Sequence, residues 1–259
     1  MNYKIGILGC GWLGLPLAKH LTTKYSRIKG TTTDSRKLEV IQHSGVDAFL
    51  IHIVNDVIKG NFGAFTRDLD TLIIAINAKN DGFYLKHMET LIKNIENTAI
   101  ENIVYISTTS VYNDTNNVIT EEHDVIEESI HVQAENMFRN HPKFNTTVVR
   151  FGGLIGEDRH PVYSLSGKKE LENPYAPINL IHKQDCIQLI TKIIEQQKWN
   201  TVYNGVFPHH PLKKEYYTIQ ALERNLEPPT FQSLGISKGK VVSARKIENE
   251  LNFEFKYSI

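Results

Sequence analysis

The chain is predicted to form a doubly wound parallel sheet of the α/β class with a small C-terminal α/β lobe. Three observations carry this. Apolar or β-branched runs of strand length recur at residues 3–8, 27–33, 47–54, 71–76, 102–107 and 146–151, and most are separated by segments with helical apolar spacing. The runs at 71–76 and 102–107 lack a polar face, as strands covered on both sides of a parallel sheet do. The first run ends in Gly9-Cys10-Gly11-Trp12-Leu13-Gly14, a glycine-dense turn that opens straight into a helical pattern.

Taken in order, the first helix carries Leu13, Leu15, Leu17, Ala18 and Leu21 at helical spacing, and the second strand closes on Thr31-Thr32-Thr33. A short helix is expected over 37–43, a third strand over 47–54, and loop or short helix over 55–69. Leu85, Met88, Leu91, Ile92 and Ile95 mark one face of a long helix over 82–98. Residues 113–124 read as loop, and 127–140 as a helix ending near His141-Pro142. Past Gly156 the pattern changes: residues 157–177 mix charges with Pro161, Pro174 and Pro177 and read as long loops. Short strands at 180–182 and 201–207 and helices at 185–196, 212–226 and up to Leu251 follow. The boundary is accordingly placed at 156, with residues 1–156 as one domain and 157–259 as a smaller lobe interleaved with the sheet and capping its open edge.

The bulk numbers exclude several classes. The 259 residues are enough for a sizeable core, and the formal net charge is zero, so no global field draws nucleic acid or an anionic membrane. No apolar run reaches the length of a bilayer span, and the first residues lead into a strand, so a cytoplasmic protein without a signal peptide is expected. The two cysteines, Cys10 and Cys186, show neither disulfide nor metal spacing. His209-His210 lies between Pro208 and Pro211 with no third ligand nearby, so no metal site is expected.

Strand, tight glycine turn and helix together form the arrangement that holds a dinucleotide pyrophosphate. Gly9 permits the sharp turn, Gly11 presents no Cβ to approaching phosphates, and Gly14 lets helix and strand pack closely. With Trp12 and Leu13, these residues form a candidate Rossmann-type cradle, in which the helix N-terminus supplies N–H groups and a partial positive charge. Cofactor choice falls to the end of the second strand. Thr32, Thr33 and Arg36 suit the 2′-phosphate of NADP, whereas Asp34 aimed at the ribose suits NAD; NADP is the expectation, with NAD open.

By Ser107 the chain resembles a known family. Val104-Tyr105-Ile106-Ser107-Thr108-Thr109-Ser110-Val111-Tyr112 is similar to the signature of the extended short-chain dehydrogenase/reductases, the NAD-dependent epimerase/dehydratase family. Further matches are the early glycine motif, Arg150-Phe151-Gly152-Gly153-Leu154-Ile155-Gly156, the run from Ile178 to Asp185, and Tyr203-Asn204-Gly205-Val206. The resemblance covers nearly the whole chain and implies a Rossmann-type NAD(P) domain with a small substrate lobe. It further implies that Ile76 and Asn77 line the cofactor and that Gly152 lies where backbone meets the carboxamide.

The resemblance also exposes a departure. Family catalysis rests on a Ser/Thr and a Tyr-x-x-x-Lys. Thr108 falls at the Ser/Thr position, but with Glu135 aligned to the family's later glutamate, Glu127 stands at the tyrosine and His131 at the lysine. The chain's one Tyr-x-x-x-Lys, Tyr25 to Lys29, opens the second strand and is read as coincidence. This pattern is similar to the atypical subgroup, in which the glycine motif persists and the catalytic residues are degraded.

The catalytic candidates are therefore Thr108, as donor to a substrate oxygen or as a strand-end cap, and His131. A Glu127–His131 pair on one helix face either serves as acid and base or is a solvated ion pair. Arg159 and His160 are candidates to meet an anionic substrate, Asp185 reads as a helix-start carboxylate, and Tyr216-Tyr217 as lobe core. The expected function is oxidoreductase or epimerase chemistry at a carbinol or keto carbon of a small molecule such as a nucleotide sugar. The alternative is a non-catalytic NAD(P)-binding sensor or scaffold. Partners are a small-molecule substrate without nucleic acid or membrane, in a monomer or homodimer.

Overall fold

A computed structural model of the chain describes residues 3–54, 56–78, 82–233 and 237–259. Its centre is a seven-stranded parallel sheet built from β1 (Ile5–Leu8), β2 (Ile28–Thr32), β3 (Asp47–Leu50), β4 (Thr71–Ile74), β5 (Asn102–Thr108), β6 (Asn145–Phe151) and β7 (Val202–Gly205), in the order β7-β6-β5-β4-β1-β2-β3. The order turns back at β1, which pairs in parallel with β2 on one side and β4 on the other. Connections after β1 run first to one edge of the sheet and then to the other, so the crevice lies at the carboxyl end of β1, where open α/β sheets bind ligands.

The helices are α1 (Gly14–Thr22), α2 (Leu38–His43), α3 (Phe62–Thr66), α4 (Tyr84–Ile95), α5 (Ile130–Arg139), α6 (Pro161–Leu165), α7 (Lys183–Glu195), α8 (Lys213–Glu223) and α9 (Arg245–Leu251). All residues of β1, β2 and β4 are buried, which accounts for the apolar runs of β1 and β4. β2 instead buries Thr31 and Thr32 together with Lys29, the one charged residue among them. Its ammonium donates to the carbonyls of Ala64 (2.7 Å) and Arg67 (2.8 Å), so a buried cation closes the C-terminal end of α3.

The chain divides into two compact units. The first comprises Met1–Ser107, Glu127–Val149 and Ile190–Val202; the second comprises Thr108–Ile126, Arg150–Leu189 and Tyr203–Ile259. The first unit's core runs from Leu8 and Ile74 through Met88 and Leu91 to Tyr105 and Phe138. In the second, Ile155, Val162, Leu180, Tyr216 and Tyr217 form a core of their own, so the two tyrosines are lobe core as expected.

Several element expectations change. The run 47–54 is two strands: Ile51 donates to Thr32 O at the end of the sheet register, and His52–Val54 then pairs antiparallel with Val57–Lys59. Residues 113–124 contain Val118–Ile119, which pairs with Val241–Val242, and Leu180–His182 pairs with Gly153–Ile155 outside the main sheet. The helix expected over 127–140 starts at Ile130, because the Ser129 hydroxyl accepts the His131 N–H and caps it there. Glu127 therefore precedes the helix and does not share a helical face with His131.

Candidate active site

At the carboxyl end of β1 the backbone turns sharply. Gly9 has φ +106°, and a Cβ there would lie 2.6 Å from Ala75 O. A Cβ on Gly14 would meet Gly9 O at 2.1 Å, so only glycine lets α1 start this close to the strand. Gly11 is different: it is exposed, and nothing lies within 4 Å of where its Cβ would point. The turn is held from β2, with Gly9 N–H donating to the Thr31 hydroxyl (3.0 Å) and Cys10 N–H to Thr31 O (2.7 Å). No side chain caps the start of α1 at Leu13, and its first turn holds no acidic residue. Trp12 is half-buried and Leu13 buried. Such a cradle fits a diphosphate: it has a positive helix end, no acidic residue in the first turn of α1, and open space at the one glycine that would face the ligand. Cys10 is buried beneath it, and burial pushes its thiol up to about 12, so it acts as a small apolar residue.

At the end of β2, Thr32 is buried, and its hydroxyl accepts the Asp34 N–H at 3.1 Å. Thr33 is exposed. Arg36 grips Asp34 through two guanidinium bonds, both 2.9 Å, and that pairing holds the Asp34 carboxyl down at about 2. The arginine that was expected to meet a 2′-phosphate is thus forked onto the adjacent carboxylate. After β4, Ile76 is half-buried against the first unit's core, while Asn77 is exposed.

Near the carboxyl end of β5 the first unit holds a buried polar cluster. The Ser107 hydroxyl donates to the Glu135 carboxylate of α5 at 2.5 Å, and both residues are buried. Two residues back on the same face of β5, the Tyr105 hydroxyl shares a 2.5 Å hydrogen bond with the Tyr84 hydroxyl from the first residue of α4. His131, one turn before Glu135, lies with its ring 6.2 Å from that of Tyr84. Burial draws the imidazole below its ordinary value while Glu135 pulls it up, and burial prevails. The carboxylate that matters to His131 is therefore Glu135 and not Glu127. Burial also keeps both phenols protonated beyond their ordinary range, with Glu135 adding to the effect.

Thr108 belongs to the second unit. Its hydroxyl accepts the Ser110 N–H at 3.1 Å and donates to the Ser110 hydroxyl at 3.2 Å, capping the turn Thr109–Val111. Also in the second unit, the buried Arg150 donates to the Tyr112 hydroxyl (2.8 Å), which donates to Asn204 Oδ1 (2.9 Å), while Asn204 N–H donates to Glu121 (2.8 Å). Gly152 is where this unit's backbones come close, since a Cβ there would sit 2.6 Å from Asn179 O. His160 is buried: its Nδ1 accepts the Val162 N–H (3.1 Å), so Nε2 carries the proton toward the Tyr216 hydroxyl (2.8 Å). It serves the lobe core and is not presented to an anion. Asp185 likewise accepts the N–H groups of Lys256 and Tyr257 (both 3.1 Å), a tertiary tie rather than a helix-dipole partner alone. Among the described residues no group of His, Cys, Asp and Glu is placed to hold a metal ion, and no helix is long and apolar enough to cross a membrane.

Sequence reasoning missed Tyr84 and the Ser107–Glu135 bond. The signal for the second was present: Glu135 lies between Ala134 and Phe138, on a helix face that is otherwise apolar.

Strand order and glycine turn define a doubly wound Rossmann-type α/β fold. Among solved structures, the Bordetella bronchiseptica enzyme WbmG in complex with NAD superposes with TM-score 0.79 at 13% identity, covering 100% of this chain and 91% of that one. The dTDP-glucose 4,6-dehydratase of Bacillus anthracis in complex with NAD gives 0.78 at 19%, covering 99% and 93%. The chain is 32% identical over 270 residues to protein YeeZ of Escherichia coli K12, covering 98% of this chain and 96% of YeeZ, and it belongs to that protein's family. No protein-family model matches the chain.

Proposed function

We propose that the protein binds a nicotinamide dinucleotide in the Gly9–Gly14 turn and acts as an oxidoreductase or epimerase on a carbinol or keto carbon of a small molecule, a nucleotide sugar being the class in view. The observation that carries this is Gly11: the turn is closed to a Cβ at Gly9 and Gly14 and open at the one glycine that would face a ligand. The superposed enzymes that hold NAD support the same reading. When bound, the nicotinamide supplies a hydride acceptor or donor at its C4. The chain's own part is then to grip the diphosphate through Gly9, Gly11, Trp12, Leu13 and Gly14 and to line the ribose side with Ile76 and Asn77. His131 is the candidate to protonate the substrate oxygen; Thr108, whose hydroxyl bonds Ser110, is the alternative donor carried by the resemblance.

NADP was the sequence expectation through Thr32, Thr33 and Arg36. The Asp34–Arg36 fork supports NAD instead, because a 2′-phosphate beside a carboxylate held ionised is repelled until Arg36 changes partner. Thermal shift with NAD, NADH, NADP and NADPH tests both points. A melting temperature unmoved by all four overturns the binding reading. Asp34→Ala is expected to weaken NAD binding and strengthen NADP binding, each by several-fold; an unchanged ratio removes Asp34 from the choice.

A second reading, a cofactor-binding sensor without turnover, is favoured by Glu127 and His131 standing where the family's Tyr and Lys are aligned. Tight cofactor binding with no consumption of NADH or NADPH across a broad carbonyl panel selects it.

A further inference from the structure

A chain lacking the family's Tyr and Lys still needs a group to move the proton that accompanies hydride transfer. Among the described residues of the first unit's buried cluster, half-buried His131 is the titratable side chain that is neither a phenol nor hydrogen-bonded to Ser107. Its place is well determined. The Ser129 hydroxyl takes its N–H, the Tyr84 ring lies against the imidazole, and Glu135 stands one turn along the same helix. The two neighbours are themselves fixed from β5, Tyr84 by Tyr105 and Glu135 by Ser107. Such an arrangement is more constrained than a solvated helix face requires, because buried polar side chains are retained only where each finds its partners.

We infer that His131 is where this chain exchanges a proton with its substrate, and that Glu135, held by Ser107, and Tyr84, held by Tyr105, are the positioning residues that orient it. The inference rests on the cofactor-binding reading above. In the oxidative direction a ring nitrogen of neutral His131 takes the carbinol O–H proton, the C–H bond electrons leave with hydride to the oxidised nicotinamide, and the C–O bond becomes a carbonyl. In reduction the same proton returns to oxygen as hydride returns to carbon. Glu135 stabilises the imidazolium formed in the first case, and Tyr84, whose phenol stays protonated, walls the ring without competing for its charge.

The test is an NMR titration of the histidine Cε1–H signals of the full chain, with His131 assigned by its loss in His131→Asn, carried out without cofactor and with NAD. Glu135→Gln keeps the size and removes the charge, and it is expected to lower the His131 midpoint by about half a pH unit or more. Should that variant fail to fold, Ser107→Ala loosens the carboxylate and lowers the midpoint by a smaller amount. Midpoints unmoved in the folded variants overturn the inference. Addition of NAD is expected to shift the His131 signal. If NAD raises the melting temperature while that signal stays put, the inference is overturned and the cofactor reading stands. If NAD leaves the melting temperature unmoved, the cofactor reading itself fails and the inference falls with it.

Discussion

Gly11 and Gly14 separate binding from folding. An alanine at Gly14 drives its methyl to 2.1 Å from Gly9 O, where the contact is backbone and has little room to yield. Gly14→Ala is expected to destabilise the chain by about 1–3 kcal/mol, read as a lower urea midpoint. Gly11→Ala places its methyl in open space, so its urea midpoint is expected to match the wild type while nicotinamide-dinucleotide affinity falls by about tenfold or more. Calorimetric titration checks the second half, and equal affinities would mean that Gly11 does not face the ligand. The glycine spacing was legible in sequence because it depends on three neighbouring residues and on their position between a strand and a helix. The Asp34–Arg36 fork was not. Either residue alone suits a ribose or a phosphate, and only their 2.9 Å bonds reveal that each occupies the other.

At the scale of elements, α5 shows how a cap redirects chemistry. Periodicity from Ile126 to Phe138 reads as one helix from 127, since apolar spacing does not mark where a helix begins. The Ser129 hydroxyl marks it. With the start at Ile130, Glu127 drops out of the helix, and Glu135 becomes the carboxylate one turn from His131. Ser129→Ala is expected to lower stability by about 1 kcal/mol and to broaden the His131 signal as the first turn of α5 frays. A urea midpoint unchanged within error would show that the cap is not needed. Helices with strong apolar faces, such as α4, and the continuous strands β4 and β5 were legible because burial on a sheet imposes a period. The two-residue pairing of Val118–Ile119 with Val241–Val242 was not, since its partners lie more than a hundred residues apart and neither run is long enough to show a period.

For the whole molecule, acid is the informative stress. His160 is buried in the second unit and burial holds its imidazole down at about 4, with Arg224 adding a smaller push. An unfolded histidine takes up its proton near pH 6.5, so between roughly 6.5 and 4 the unfolded chain binds a proton that the folded chain does not. Stability from this residue is complete above that window and is lost as the pH falls through it, at up to about 1.4 kcal/mol per pH unit, with no further loss below about 4. His160→Asn keeps an acceptor for the Val162 N–H and removes the titration. Its melting temperature is expected to fall less steeply than the wild type's between pH 6.5 and 4, and parallel curves would show that His160 does not contribute.

The sequence by itself determined the class of fold, the main strands and long helices in chain order, the position of the glycine turn and the absence of a Tyr-x-x-x-Lys from the segment after β5. Each of these depends on residues close together in the chain, where backbone geometry and the periods of helix and strand act directly. Only the tertiary structure decided which carboxylate attends His131, that Tyr84 joins Tyr105, that His160 faces its own core, and that the second unit draws on three separate segments of the chain. Those are choices of partner across long stretches of sequence, made by packing and by the cost of leaving a buried polar group unpaired, and no local pattern records them.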